Sequence, residues 1–184
     1  MAFAEKVLRA IYYKIPGVDP LTKWKKRGLT VGRNFTILDG VEIDSSHCWL
    51  ITIGNNVTLA PGVRILAHDA STKIHLNYTR IGKVNIGDNV FVGADSIILP
   101  SVSIGNNAVI GAGSIVAANI EENTVAAGNP AKFICTLEDY LERKKKEMIQ
   151  TPRFGYEYTL GGKITEQMKK EMIQKMSDRI GYVE

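Results

Sequence analysis

The sequence predicts an all-β fold built from short rungs stacked on one another. Two observations carry this. An aliphatic residue returns every sixth position through Ile86, Val92, Ile98, Ile104, Ile110 and Val116. A small residue often follows it, as at Gly87, Gly93, Gly105, Gly111 and Ala117. A period of six matches neither the 3.6 of a helix nor the 2.0 of a plain strand. It matches a short strand and a tight corner, repeated. A second small or branched residue lies four places after each aliphatic, at Val90, Ser96, Val102, Ala108 and Ser114.

Each part of the rung has a physical reason. The aliphatic side chain points inward. The glycine or alanine after it lets the backbone turn without a clash at Cβ. Asn and Asp in Gly54-Asn55-Asn56, Gly87-Asp88-Asn89 and Gly105-Asn106-Asn107 tolerate left-handed corners. One rung cannot stand alone, because its backbone pairs with the rungs above and below. A β-sandwich is disfavoured, since its strands do not keep phase through six consecutive hexads.

The same beat sounds upstream at Val31, Ile37 and Ile43, and again at Ile53, Leu59 and Ile65. It slips twice. Four extra residues part these two blocks, and a longer excursion separates Ile65 from Ile86. Insertions in a regular scaffold are functional more often than decorative.

Outside the repeat, Phe3, Val7, Leu8, Ile11 and Ile15 have helical spacing before Pro16 and Gly17 end it. Such a basic amphipathic helix could touch a membrane surface, but packing across the end of the stack is the expected role. Leu137 to Ile149 and Thr165 to Ile180 read as helices, with an aromatic- and glycine-rich loop from Pro152 to Gly162 between them. The expected divisions are an N-terminal helical segment at 1–28, the repeat at 29–134 with a loop at 71–80, and a C-terminal helical extension at 135–184.

Composition narrows the class. The 184 residues are 45% hydrophobic and 23% charged, with a formal net charge of +4. That excess suits an anionic ligand without marking a nucleic-acid binder. The basic runs Lys23 to Arg27 and Arg143 to Lys146 read first as solvated faces. Cys48 and Cys135 lack metal-ligand or CxxC spacing, which points to a reducing compartment. With no apolar run near the roughly 20 residues that span a bilayer, a cytoplasmic location is expected.

From Ile86 to Ile134 the text is IGDNVFVGADSIILPSVSIGNNAVIGAGSIVAANIEENTVAAGNPAKFI. It closely resembles the galactoside and maltose O-acetyltransferase branch of the hexapeptide-repeat transferases, and a looser likeness extends back to Leu29. The resemblance implies a left-handed parallel β-helix with three hexads per turn. That hand opposes the usual right-handed crossover, so periodicity alone does not supply it. At about 4.8 Å per rung, about six turns would make a prism roughly 30 Å long. The resemblance also implies a homotrimer with sites between subunits, acetyl-coenzyme A as acyl donor, and a sugar-like hydroxyl or amine as acceptor.

Acyl transfer from a thioester needs a base, an oxyanion donor and a groove that aligns two substrates. The chain has three histidines: His47, His68 and His75. His68 stands where the hexad rhythm stops and a loop departs. An ordinary histidine, with a pKa of about 6.5, is mainly neutral near pH 7, as a base must be. In the resembled family the catalytic histidine begins this same loop, which carries onto His68.

By resemblance, Asp44 and His47, at the first slip, are expected to bind the acceptor or to orient His68, with a satisfied structural histidine as the equal alternative for His47. His75 reads as solvent-facing. Tyr78 and Arg80, in the loop, are weaker candidates for substrate contact. For coenzyme A, small residues at Gly93, Ala94, Gly111, Ala112 and Ala117 would admit the pantetheine arm, though each also serves as a plain corner. By resemblance, Ala94 and Ala112 offer backbone groups and Lys132 meets the nucleotide phosphates. Where relatives often carry Thr-Lys and Arg, this chain has Ala117-Ala118 and Cys135, so Arg143 and Lys144 are alternative phosphate contacts.

No metal is expected. A zinc hydratase on the same prism would need three converging histidines, and the spacing of these three is unlike that of such enzymes. A non-catalytic scaffold would suit an uninterrupted stack better than this one.

Overall fold

The computed structural model describes residues 20–184, so the helix expected between Phe3 and Ile15 lies outside the described residues. Its contacts divide the chain into a repeat unit ending at Leu137 and a second unit from Glu138 to Glu184.

The repeat unit is a three-faced stack of parallel strands. The first face holds Thr30–Val31, Ile51–Ile53, Val84–Ile86 and Ser103–Ile104. The second holds Thr36–Ile37, Thr58–Leu59, Phe91–Val92, Val109–Ile110 and Thr124–Ala127. The third holds Glu42–Ile43, Arg64–Ile65, Ile97–Ile98 and Ile115–Val116. Four full turns are followed by a partial fifth, begun by the bridge from Ile104 to Ile120. That is shorter than the six turns expected, because residues 44–50 and 66–83 consume chain without adding rungs.

The register records both insertions. Thr36 pairs with Thr58, Thr58 with Phe91, and Phe91 with Val109. Only the last of these steps has the plain 18-residue spacing of three hexads. The inward positions behave as the repeat requires: Ile53, Leu59, Ile65, Val92, Ile98, Ile110 and Val116 are at most 1% exposed. The residues four places on, from Val57 and Val63 to Ser96 and Ser114, are buried between them.

One corner is tied by a ladder of asparagines. Asn34, Asn56, Asn89, Asn107 and Asn123 all have φ between 54° and 58°. Each side-chain amide donates to the next residue's carbonyl oxygen, Asn34 to Asn56, Asn56 to Asn89, Asn89 to Asn107 and Asn107 to Asn123, at 2.8–2.9 Å. The left-handed corner selects Asn, and stacking then pairs identical amides without any further sequence requirement.

The stack closes with an antiparallel strand, Lys132–Thr136, against Thr124–Ala127. This strand is why the repeat unit reaches Leu137 rather than the expected boundary at Ile134. At the other end, the helix Pro20–Lys26 buries Trp24, while Lys23, Lys25 and Lys26 are exposed.

The second unit contains helices Leu137–Ile149, whose first residue belongs to the repeat unit, and Glu166–Met176. The second helix is capped by Thr165, which accepts from Met168 N–H, and stops four residues before Ile180, with Ser177 at φ 47°. Strands Arg153–Phe154 and Tyr182–Val183 pair beside buried Phe154. Tyr182 donates to Glu147 at 2.7 Å, and that hydrogen bond pushes its phenol up to about 12. No helix among the described residues is long and apolar enough to cross a membrane.

Candidate active site

Both interruptions of the repeat leave from the same edge of the stack. All strands of the third face run parallel, so each turn enters that face at one edge and leaves at the other. Residues 44–50 follow Glu42–Ile43 at the exit edge, and Leu66-Ala67-His68 follow Arg64–Ile65 one rung later. Asp44 N–H donates to Ile65 carbonyl at 2.9 Å, which fixes Asp44 to the rung that launches His68.

The carboxylate of Asp44 is the centre of this arrangement. Its residue is 7% exposed. Oδ1 accepts from the amides of Ser46 and His47 at 2.9 and 3.1 Å. Oδ2 accepts from Ala67 N–H at 2.9 Å and lies 2.5 Å from His68 Nδ1. Burial by itself raises the carboxyl pKa, but the His68 hydrogen bond and the three amides outweigh it and hold Asp44 below the usual range. An ionised carboxylate can only accept, so Nδ1 carries a proton, and in the neutral ring the lone pair is on Nε2.

His68 begins a short strand, His68–Asp69, paired antiparallel with Arg80–Ile81. The side chain is 35% exposed, so the ring is anchored on one side and open on the other. The hairpin closes a loop carrying the short helix Lys73–Leu76. Thr72 hydroxyl donates to Tyr78 carbonyl at 2.9 Å, and Ser71 N–H to Asp69 at 2.9 Å. Tyr78 is 79% exposed, and Arg80 is exposed directly across the hairpin from Asp69.

His47 lies beside this pair, its ring centroid 5.3 Å from that of His68. Its Nδ1 is buried without a hydrogen-bond partner. Trp49, 56% exposed, has its ring centroid 5.2 Å from that of His47. The sequence alone assigns Trp49 no role; its only signal is an aromatic residue within the four-residue phase slip. The insertion is braced from beneath. Cys48 is fully buried with its thiol near the carbonyls of Trp24 and Arg27, and Arg27 guanidinium donates to Ser45 carbonyl at 3.1 Å. A Cβ on Gly28, at φ 103°, would sit 2.8 Å from Trp49 Cβ, so this close approach needs glycine.

The small residues divide between two edges. Gly93, Ala94, Gly111 and Ala112 lie where successive turns enter the third face, and Gly113 N–H donates to Ala94 carbonyl at 2.7 Å. Ala117 lies at the exit edge, two rungs beyond the one that launches His68. A Cβ on Gly93 would meet Ala112 N at 2.5 Å, and one on Gly111 would meet Ala127 Cβ at 2.7 Å. Stacking alone therefore demands both glycines. Space beside Gly113 is open, with nothing within 4 Å of an added Cβ, and Ala112 is exposed.

Ser114 ties this edge to the Gly128-Asn129-Pro130 turn. It donates to Gly111 carbonyl at 2.6 Å and accepts from Gly128 N–H at 3.1 Å. Lys132 follows that turn and is exposed. Lys144, in the second unit, pairs with Glu147 at 3.0 Å and lies, with Arg143, over the Tyr140 ring. His75 is exposed on the loop helix. Among the described residues, the donor group that converges is Asp44, His47 and His68.

Comparison with known proteins bears on the repeat and its family. Residues 83–118 match the family described as bacterial transferase hexapeptide (six repeats). The chain is 40% identical to Protein CapG of Staphylococcus aureus over 142 residues, covering 73% of this chain and 81% of that protein. It is 38% identical to the galactoside O-acetyltransferase of Escherichia coli K12 over 112 residues, covering 59% of this chain and 54% of the relative. The chain spans about half the length of the other curated relatives it matches. A solved galactoside acetyltransferase in complex with coenzyme A superposes with a TM-score of 0.52 at 27% identity, over 76% of this chain and 81% of that one. The fold shared with these neighbours is a left-handed parallel β-helix.

Proposed function

The chain belongs to the bacterial hexapeptide-repeat transferases, and from that premise we propose that it transfers an acetyl group from coenzyme A to a sugar-like hydroxyl or amine, with His68 as general base. The observation that carries this reading is the Asp44–His68 pair at the root of the loop. With Nδ1–H directed at Asp44, Nε2 is the nitrogen available to take a proton from the acceptor. The Asp44 carboxylate then stabilises the imidazolium and hands no proton on. Both Asp44 oxygens are engaged within the protein, which favours the orienting role over acceptor contact. His47, Tyr78 and Arg80 remain the proposed acceptor contacts.

Acetyl-coenzyme A supplies the acyl group as a thioester. The opening beside Gly113 and exposed Ala112 suits a narrow arm, and Lys132 would face phosphates. Ala94 and Ala112 lie at the entry edge of the third face, whereas His68 leaves from the exit edge. A site assembled between two copies would bring the edges together, so the reading includes a homotrimer. The coenzyme A complex of a 27% identical neighbour supports the donor, and its name supports a sugar acceptor.

The test is a mass-spectrometric screen of acetyl-coenzyme A against sugar hydroxyls and amino sugars, with light scattering on the same sample. Acceptor mass rising by one acetyl group, from a trimer, is the expected result. Absence of transfer to any acceptor, together with no shift in melting on adding coenzyme A, would refute the activity.

A further inference from the structure

We propose that Asp44, His47 and His68 form a binding site for a divalent transition-metal ion, zinc by preference, and that the bound ion switches His68 off as a base. The inhibitory half rests on His68 being the base; the binding half does not. One ligand atom from each of the three residues lies within 4.8 Å of the others. Two imidazoles and one carboxylate suit zinc, where magnesium and calcium prefer oxygen donors.

The second observation is the state of His47. Its Nδ1 is buried and unpartnered, and an unsatisfied buried polar atom is costly. Nothing in the Asp44–His68 pair explains that atom; a metal ligand does. The site is also held in place before any ion arrives. Asp44 N–H donates to Ile65 carbonyl, Asp44 Oδ2 accepts from Ala67 N–H, and His47 carbonyl accepts from Leu50 N–H at 2.9 Å.

A tetrahedral ion with bonds of about 2.0–2.2 Å keeps its ligand atoms roughly 3.5 Å apart. The 2.5 Å between Asp44 Oδ2 and His68 Nδ1 must therefore widen, and any separation near the 4.8 Å bound must shrink. The 35% exposed ring of His68 has room for this shift. The ion takes the place of the Nδ1 proton, which moves through solvent to Nε2, so no proton is lost overall. A neutral imidazole ligated through Nδ1 carries its one proton on Nε2. The lone pair that would accept the acceptor's proton is then gone, whatever else the ion does.

Zinc titration of the metal-free full-length protein by calorimetry tests the site, with cobalt(II) absorption as a report of coordination. The expected result is one zinc per chain, bound at least tenfold more weakly by His47→Ala and by the size-matched His47→Gln. His75→Ala, on the exposed loop, should bind as the parent does. Melting profiles of the variants establish that they are folded. In the transfer assay, zinc should inhibit over the same concentration range and a chelator should restore the rate. Unsaturable binding, or affinity unchanged by both His47 variants, overturns the site. Zinc bound through His47 with full transfer activity overturns the inhibition. Calorimetry decides the binding half even if no acceptor is acetylated.

Discussion

The upper and lower halves of the stack are made of the same rung and differ in what interrupts it. From Val84 to Val116 the turns follow at 18 residues without a break. From Thr30 to Ile65 the chain makes two turns and pauses after each, once at 44–50 and once at 66–83. Both pauses fall at the exit edge of the third face, and Asp44, His47 and His68 all come from them. The regular half supplies stiffness, because every inward position is spent on packing. The interrupted half supplies chemistry, because residues freed from the rung can carry polar side chains without breaking the ladder.

Substitutions in the two halves should therefore fail in different ways. The largest loss of stability is expected in the regular half. Ile110→Ala removes a fully buried side chain and should cost about 2–5 kcal/mol. That corresponds to a fall in melting temperature of roughly 4–20 °C for a chain of this size, read by calorimetry, with transfer by the remaining folded protein near normal.

Asp44→Asn should instead strike the rate. It exchanges an ionised acceptor for an amide and loosens the tautomer of His68, lowering turnover by about tenfold or more. The same variant probes acid stability. Asp44 has its folded pKa below the unfolded value, so it stabilises the protein above about pH 4, and that contribution fades as the pH falls through the folded pKa. The melting difference between parent and Asp44→Asn should be present at pH 6 and shrink below pH 4. A difference that grew on acidification would contradict the assignment.

The smallest effect is expected at the corner ladder. Asn89→Ala removes two side-chain hydrogen bonds and places alanine at φ 57°. A cost of about 1–2 kcal/mol is expected from denaturant titration. A neutral result would mean that neither the stacked amides nor the fit of Asn to the left-handed corner contributes.

Much of this division was legible before any coordinates. The hexads located the rungs because a period of six admits few backbone solutions, and the two slips marked where residues leave them. The left hand was not legible, since stacking energetics read from one strand are the same for either hand; it came by resemblance. Nor was the closing strand Lys132–Thr136, which has no hexad signature. The Asp44–His68 contact spans 24 positions, and only the 22-residue register between Ile43 and Ile65 brings the two together. The unpartnered Nδ1 of His47 is a matter of burial, which composition does not report. Small residues carry two readings at once: Gly93 and Gly111 look like a ligand groove in sequence, and stacking already requires them.

The most direct measurement pairs turnover and melting for His68→Ala on one preparation. A general base anchored outside the rungs predicts a rate lower by about 10²-fold or more, with melting within a few degrees of the parent. Near-normal turnover in folded protein, or a collapse in melting comparable to that of Ile110→Ala, would contradict it.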